Sequence, residues 1–342
     1  MIISRTPFRL SFFGGGTDYP AWFREHGGAA LSASINRYSY ISSRSLPPFF
    51  DTKSRVVWSK IKNVEENDQI EHPVVRAALE YLNIDRGVEI HHAGDLPARS
   101  GLGSSSSFTV GMLHSLHALL GHFVNKAELA HQAIHIEQQM LNENVGIQDQ
   151  IQTAHGGINR ILIQPDGDFS VEPLTLTRNR LGELQSHLLM LYTGIARMAS
   201  DVAAEQIAAI PNKQAELHEM RAMVDTATGI LAGDDDIGDF GRLLHESWQL
   251  KRGLAKGIAP SFVDDIYERA CKAGALGGKL MGAGGGGFMV LFARPGDHQA
   301  VLDAVPELLL VPIKFEFTGS QIIFSEPESY SRMALSTRDF RR

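Results

Sequence analysis

The sequence is poor in cysteine, since Cys271 is the only one among 342 residues. An intrachain disulfide and a cysteine-based zinc cluster are therefore excluded. No apolar run approaches the roughly 20 residues of a membrane span. Residues 1–13 place Arg5, Pro7 and Arg9 among apolar residues, which is not the layout of a signal peptide. We therefore expect a cytoplasmic protein without a membrane partner.

Positive charge is also scarce, because 32 Lys and Arg residues stand against 39 Asp and Glu residues, for a net charge of −7. This balance argues against a broad nucleic-acid-binding surface. Phosphate ligands remain possible, since a few backbone N–H groups can hold an anion locally. With 43% hydrophobic and 21% charged residues, the composition is that of a globular protein, and the length allows two domains.

The periodicity of the apolar residues predicts mixed α and β structure. Strands are predicted at residues 1–13, 29–43, 56–58, 88–90, 158–163, 188–192, 288–292 and 312–324. Helices are predicted at residues 73–82, 104–120, 126–141, 196–232 with a break near Pro211, 237–253 and 260–274. A turn and a polar stretch after residue 164 predict a domain boundary near residue 180.

The stretch Asp95–Leu120 combines a glycine turn with the start of a helix. Gly101 and Gly103 allow a tight turn that can approach a ligand closely, and four serines, Ser104–Ser107, follow. The first N–H groups of a helix have no partner within it and carry positive potential. This pattern indicates a phosphate-binding site. The alternative is a serine-capped helix after a glycine turn.

An acidic residue follows a second glycine run near the N terminus. The run Gly14–Gly16 precedes Thr17, Asp18 and Tyr19, directly after a predicted strand. An aspartate at such a place commonly caps its own turn. It can also bind the hydroxyls of a polyol, and the residues leave both interpretations open.

A carboxylate falls on the apolar face of the helix predicted at 126–141. Glu137 is three residues after Ile134 and four before Leu141. A buried carboxylate is costly unless it is paired or binds a metal. Residues 144–150 are predicted to form a turn that carries a second carboxylate, Asp149. The carboxylates of Glu137 and Asp149 together could serve as a metal ligand and a general base. The alternative for Glu137 is an ion pair at the edge of the helix face.

A third glycine cluster lies at Lys279–Met289. Gly282, Gly284 and Gly287 fit G-x-G-x-x-G, but a helix is predicted before them and a strand after them, unlike the dinucleotide-binding unit. A P-loop is excluded because Leu280 follows Gly278-Lys279. The protein-kinase pattern is excluded because no H-R-D or D-F-G occurs. A nucleotide site here must be of another type.

Three blocks, Pro7–Tyr19, Pro97–Ser107 and Lys279–Gly287, resemble in order and spacing the motifs of the GHMP kinases. The resemblance implies an α+β fold of two domains with the active site in the cleft between them. Residues 1–180 would form the ATP-binding domain, similar to domain 2 of ribosomal protein S5. Residues 181–342 would form a ferredoxin-like domain.

Within the family, the chain looks most like the D-glycero-D-manno-heptose 7-phosphate kinases. The resemblance lies in three motifs, FFGGGTDYP, RSGLGSSSSFTVG and NVGIQDQ. The implied reaction is ATP-dependent phosphorylation of the anomeric C1 hydroxyl to the 1,7-bisphosphate, for GDP-heptose and cell-surface polysaccharide. L-fucose kinases share a related loop, so another sugar 1-kinase of that kind is one alternative. A kinase-like sensor without turnover is the other alternative. Galactokinases carry an acidic residue and a histidine where this chain has Gly15 and Gly16.

The resemblance also implies a role for each motif residue. Asp149 would take the proton of the anomeric hydroxyl, and Arg9 would stabilise charge beside it. Ser105 and Glu137 would bind Mg²⁺. ATP phosphates would be held by Gly101, Leu102, Gly103, Ser104, Ser105 and Ser106, and from the second domain by Gly282, Ala283, Gly284 and Gly285. The sugar hydroxyls would be bound by Gly16, Thr17, Asp18 and Tyr19.

The expected partners are ATP and a small sugar phosphate. Arg37 and Arg197 are candidate cations for the 7-phosphate of the sugar. A homodimer is left open.

Overall fold

Two sheets form the framework of the protein, whose computed structural model describes residues 1–47, 49–98, 100–195 and 199–326. The described strands are β1 (Ile2–Phe13), β2 (Gly28–Ser45), β3 (Ser54–Val57), β4 (Ile61–Val64), β5 (Val88–Gly94), β6 (Ile158–Ile163), β7 (Phe169–Pro173), β8 (Leu188–Tyr192), β9 (Ala275–Leu280), β10 (Phe288–Ala293), β11 (Leu309–Leu310) and β12 (Gln321–Ser325). The first sheet runs β12-β1-β2-β5-β3-β4, with β6 paired to β2 and β7. The second runs β11-β8-β10-β9.

Helices cover both sheets. The described α-helices are α1 (Pro20–His26), α2 (Pro73–Tyr81), α3 (Ser104–Leu120), α4 (Lys126–Ile134), α5 (Gln148–His155), α6 (Arg178–Ser186), α7 (Ala199–Ala209), α8 (Gln214–Ala232), α9 (Gly238–Arg252), α10 (Ser261–Lys272) and α11 (His298–Ala304). A π-helix, His135–Met140, continues α4, and a 3₁₀ turn, Ile210–Asn212, separates α7 from α8. No helix in the described part of the chain is both long and apolar enough to cross a bilayer.

Helix α3 lies directly on β1, the strand that carries Arg9. The Ser4 hydroxyl donates to the Gly111 carbonyl at 2.8 Å. A Cβ atom on Gly111 would come within 2.8 Å of Thr6 Oγ1, so the absence of a side chain permits this close packing. The helix thereby holds its N-terminal turn next to the middle of β1.

Aromatic side chains join the two halves of the chain. The rings of Phe12 and Phe13, at the end of β1, pack edge-on against Phe240 of α9, at centroid distances of 5.4 and 5.2 Å. The chain also returns to the first sheet, because β12 pairs antiparallel with β1. The predicted boundary near residue 180 falls within α6, and the ranges 1–180 and 181–342 remain a prediction.

Several predicted elements are confirmed, and others differ. The strand at 1–13, the helix at 104–120 and the break near Pro211 are present. The helix predicted at 126–141 becomes a π-helix after Ile134. The segment predicted as a turn at 144–150 already contains the start of α5, so Asp149 lies in the first turn of a helix.

The third glycine cluster was placed after a helix, which is wrong, because strand β9 precedes it and β10 follows it. Glycines at 277 and 278 obscured the strand pattern of β9. The cluster is the connection of a β-hairpin, which still excludes a strand-turn-helix dinucleotide site. Arg197 and residues 327–342 lie outside the described residues.

Candidate active site

Arg9 and Asp149 form a buried ion pair at the centre of the site. Arg9 Nε donates to Asp149 Oδ1 at 2.7 Å, and Nη2 donates to Oδ2 at 2.5 Å. This bidentate geometry fixes both side chains. Arg9 is only 3% exposed, whereas the Asp149 side chain retains 25% exposure. The carboxylate therefore remains open to a ligand on one side.

The predicted phosphate-binding turn lies against this pair. Arg9 Nη1 donates to the Gly101 carbonyl at 2.6 Å, and the Arg9 backbone N–H donates to the Leu102 carbonyl at 3.0 Å. Gly103 has φ +71, and a Cβ there would come within 3.1 Å of Arg9 Cγ and 3.4 Å of Asp149 Oδ2. The first turn of α3 thus begins beside the ion pair.

The predicted glycine block of the second half meets the first turn. A Cβ on Gly282 would lie 2.5 Å from Gly101 Cα, and the Phe288 N–H donates to the Ser100 carbonyl at 3.2 Å. Gly284 and Gly285 pack on Ile258 instead. Gly282 therefore packs on Gly101, and Gly287 at the end of the block packs on the neighbouring Ser100.

Glu137 is completely buried at the side of α3 and accepts three hydrogen bonds. Thr109 Oγ1 lies 2.6 Å away, Ser106 Oγ 3.0 Å and Gln150 Nε2 2.5 Å. Burial raises the pKa of Glu137 to about 7. The Ser105 side chain is exposed, so the neighbouring Ser106 supplies the serine hydroxyl that bonds Glu137.

The oxygen atoms around Glu137 fit a magnesium ion that is shared with a ligand. Gln150 Oε1 is buried without a hydrogen-bond partner, and hydroxyl and carboxylate oxygens are what Mg²⁺ prefers. Within the described ranges, no three His, Cys, Asp or Glu side chains are grouped to hold a metal. Protein side chains alone do not form a complete cage here, as is usual where Mg²⁺ is also bound by phosphates.

Asp18 lies 3% exposed on the glycine loop that precedes α1. Its Oδ1 accepts the Gly16 N–H at 3.0 Å, and its Oδ2 accepts the Gln148 N–H at 3.4 Å. Burial raises the pKa of Asp18, and the negative charge of Asp149 adds to the rise. The two carboxylates are therefore close enough to interact electrostatically.

Thr17 and Tyr19, the other side chains of this loop that were predicted to bind the sugar, are both buried. The Thr17 hydroxyl donates to the carbonyls of Gly14 and Ala29, so it holds the loop in shape. Tyr19 is buried, and burial raises the pKa of its hydroxyl. The loop thus presents Asp18 on a frame built by its neighbours.

Two buried lysines that were not predicted lie near Arg9 and Asp18. Lys251 on α9 is 5% exposed, and its Nζ donates to the Gly282 carbonyl at 2.5 Å. Lys279 on β9 is 1% exposed and donates to the Phe12 carbonyl at 3.0 Å. Burial, with the nearby charge of Arg9, lowers the pKa of Lys251 to about 8. The apolar face of α9 (Phe240, Leu244, Trp248) includes Lys251, a signal available in the sequence.

An aromatic cluster flanks the first turns of α3. His72 stacks on Phe108 at a centroid distance of 4.6 Å, and His92 meets the same ring edge-on at 4.9 Å. Trp58 packs against His72 at 5.5 Å. His72 Nδ1 is buried without a partner, and burial lowers the pKa of His72 to about 4. The cluster combines flat apolar faces with an unused ring nitrogen.

This arrangement of two glycine turns, a carboxylate–guanidinium pair and a buried carboxylate with three donors agrees with the family comparison. Residues 71–157 match the GHMP kinases N terminal domain, and residues 227–309 match the GHMP kinases C terminal domain. The chain belongs to the GHMP kinases and is a phosphotransferase that acts on an alcohol group. The predicted α+β fold with two domains is confirmed.

Among its relatives is the D-glycero-alpha-D-manno-heptose 7-phosphate kinase of Campylobacter jejuni, which is 27% identical over 315 residues, or 89% of this chain and 93% of the relative. The L-fucokinase/L-fucose-1-P guanylyltransferase of Bacteroides fragilis is also 27% identical, over 88% of this chain. This chain spans only 35% of that longer protein.

A solved structure confirms the fold. The D-glycero-D-manno-heptose 1-phosphate kinase of Bacteroides thetaiotaomicron superimposes with a TM-score of 0.78 over 95% of this chain and 100% of its own, at 24% identity. The phosphomevalonate kinase of Streptococcus pneumoniae, solved with phosphomevalonate and AMPPNP, has a TM-score of 0.74 over 92% of this chain and 100% of its own, at 16% identity.

Proposed function

We propose that this protein transfers the γ-phosphoryl group of ATP to the C1 hydroxyl of D-glycero-D-manno-heptose 7-phosphate. The observation that carries the proposal is the Arg9–Asp149 pair placed against Gly101 and Gly103. This brings a proton acceptor and a cation to the N terminus of a helix that can hold phosphates. Phosphoryl transfer depends mainly on such positioning and on neutralisation of charge.

The nucleotide would lie along the start of α3. The backbone N–H groups from Gly101 to Ser106 would hold its phosphates, and Gly282 would close the turn from the second half of the chain. The adenine ring would lie beside Phe108 and His72, where stacking and the unused Nδ1 of His72 favour a planar base. These positions agree with the expected roles of the glycine residues.

Glu137, with Ser105 or Ser106, would hold Mg²⁺ together with the phosphates. When bound, the ion would neutralise phosphate charge in the site. Glu137 Oε2 accepts from both the Ser106 hydroxyl and Gln150 Nε2, so both side chains would have to turn away to free that oxygen. Ser105, one residue earlier and exposed, would need to turn inward from the first turn of α3.

Asp149 would orient the anomeric hydroxyl and accept its proton as the hydroxyl attacks. Arg9 would keep the Asp149 carboxylate in place and offset charge near the attacking oxygen. Asp18 would bind sugar hydroxyls, supported by its buried position and its electrostatic contact with Asp149. The glycines at 15 and 16 leave the loop without the acidic and histidine side chains found in galactokinases.

The two candidate cations for the 7-phosphate of the sugar are Arg37 and Arg197. Arg37 donates to the carbonyls of Asn36 and Pro312, which ties it to the segment before β12. The other candidate, Arg197, lies outside the described residues. The choice of heptose 7-phosphate therefore depends on the loop motifs and on the Campylobacter jejuni relative, with L-fucose as the competing acceptor.

An acceptor panel tests the function. ATP consumption is measured with D-glycero-D-manno-heptose 7-phosphate, L-fucose, galactose and mannose, and ³¹P NMR identifies the phosphorylated position. We expect the highest kcat/KM with the heptose 7-phosphate and an anomeric phosphate in the product. Preference for L-fucose would replace the substrate assignment, and nucleotide binding without turnover on any acceptor would support the sensor alternative.

A further inference from the structure

Lys251 is a buried cation at the junction of the two glycine turns. Its Nζ bonds the Gly282 carbonyl at 2.5 Å, and Gly282 lies against Gly101. The Gly101 carbonyl in turn accepts from Arg9 at 2.6 Å. Lys251 and Arg9 thus approach the same place from opposite halves of the chain.

The hydrogen bonds of Lys251 leave donors unused. An ammonium group has three N–H donors, and within the described residues Lys251 Nζ bonds one carbonyl oxygen. Lys279 is more enclosed and donates to Phe12. Arg9 and Lys251 therefore both lie near the carboxylates of Asp18 and Asp149, and the unused donors of Lys251 can bind an anion.

We propose that Lys251 contacts the γ-phosphoryl group of ATP during its transfer, an inference that rests on the kinase function proposed above. A bond forms between the acceptor oxygen and the γ-phosphorus. The bond to the β,γ-bridging oxygen breaks, and its electron pair leaves on ADP. The hydroxyl proton passes to Asp149. Lys251 keeps its own proton and offsets the charge on the transferred group.

A purely structural role for Lys251 would be to anchor the Gly282 carbonyl. The two roles separate in nucleotide binding, because ADP lacks the γ-phosphate. Kd values for AMP-PNP and ADP are measured by calorimetry with Mg²⁺ for wild type, Lys251→Met and Lys251→Arg. Lys256→Met, at an exposed lysine five residues further on, is the matched control.

We expect Lys251→Met to bind ADP as wild type does but to lose about 10- to 100-fold in AMP-PNP affinity. Its kcat should fall about 10²- to 10³-fold, Lys251→Arg should recover part of both, and Lys256→Met should match wild type. Equal losses for both nucleotides with a lower Tm would show anchoring only. Wild-type kcat in Lys251→Met would overturn the inference and leave the kinase function intact. If wild type binds neither nucleotide, the proposed function fails and this inference fails with it.

Gln206 on α7 provides a second, independent observation. It is 3% exposed, and its Nε2 is buried without a hydrogen-bond partner. A Cβ on Gly16 would lie 2.7 Å from that nitrogen, so the amide faces the loop that presents Asp18. A buried unpaired amide is costly. We infer that Gln206 binds a hydroxyl of the acceptor from the second half of the chain.

The test compares Gln206→Leu with Gln214→Leu, an exposed glutamine on the next helix. We expect Gln206→Leu to raise the acceptor KM about tenfold without changing the ATP KM, and to keep or raise Tm because the unpaired amide is removed. An unchanged acceptor KM in the active variant would overturn the inference. If wild type phosphorylates a different sugar, the same comparison is made with that sugar.

Discussion

Asp18 and Gly146 are packed so closely that a Cβ atom at position 146 would lie 1.9 Å from Asp18 Oδ2. This contact joins the glycine loop after β1 to the segment that leads into α5. The Ile147 N–H also donates to the Asp18 carbonyl at 3.1 Å. The contacts of Asp18 with Gly146 and Ile147 therefore hold Asp18 close to Asp149, although 131 positions separate the two aspartates.

Gly146→Ala should displace the Asp18 carboxylate and reduce acceptor binding more than nucleotide binding. We expect a destabilisation of about 1–3 kcal/mol, as for other overpacked sites. The measurement is acceptor KM, ATP KM and urea unfolding. Gly182→Ala is the control, because a Cβ there meets nothing within 4 Å. A Gly146→Ala variant with normal acceptor KM would show that the Asp18 position is unimportant.

Asp149→Asn should lower kcat about 10²- to 10⁴-fold and change both KM values much less. The amide keeps the size of the side chain and can still bond Arg9 through its oxygen, but it does not accept the proton. If Asp149 only stabilises the first turn of α5, asparagine should serve nearly as well. Turnover is measured together with Tm, and near-normal kcat in a folded variant would remove Asp149 from the mechanism.

Gly103→Val should abolish tight nucleotide binding. The residue adopts φ +71, and the new side chain would approach Arg9 Cγ within 3.1 Å. Gly121→Val is a closely matched control, since Gly121 ends the same helix at φ +72 with nothing within 4 Å of its Cβ position. Both variants carry similar backbone strain, so calorimetry should show a loss of ATP affinity in Gly103→Val alone. Equal ATP affinity in the two variants would contradict the phosphate-binding role.

Metal-free protein should become less stable between about pH 4.5 and pH 7 because of Glu137. Burial raises the folded-state pKa of Glu137 from 4.5 to about 7, so the folded protein binds more protons than the unfolded chain in this range. Stability then falls as pH rises, by on the order of 3 kcal/mol for this group. In Glu137→Gln this part of the fall should disappear.

The measurement is urea unfolding at several pH values for wild type, Glu137→Gln and Glu128→Gln, the last at an exposed position on α4. Only the difference between the curves is assigned to Glu137, because other groups titrate too. Parallel curves for wild type and Glu137→Gln would refute the assignment. Weaker use of Mg²⁺ and ATP by Glu137→Gln is expected for the proposed metal site.

The sequence allowed prediction of those parts of the site that break a local pattern. Glu137 was found because a carboxylate on an apolar helix face needs a partner, and the structure places it at 0% exposure with three donors. The same rule identifies Lys251, whose position among Phe240, Leu244 and Trp248 is equally unusual. The glycine turns were predicted because a tight turn depends on a few neighbouring residues, and glycine is the residue that allows it.

Features assembled from distant segments could not be predicted in this way. The ring cluster around Phe108 takes Trp58, His72 and His92 from separate elements, and no sequence spacing relates them. Which of the four serines donates to Glu137 depends on how α3 is rotated by its packing on β1, and in the structure it is Ser106. The short strands β4 and β7 lack enough apolar residues for their pattern to be recognised.

The pairing of β12 with β1 determines when the nascent chain can complete its first sheet. Residues 321–325 are synthesised long after β1, and until then one edge of β1 has no strand beside it. Open edges pair readily with other chains, and incompletely folded intermediates aggregate by such contacts. A fragment of residues 1–180 would therefore tend to self-associate, and soluble expression should be better for fragments that keep β12.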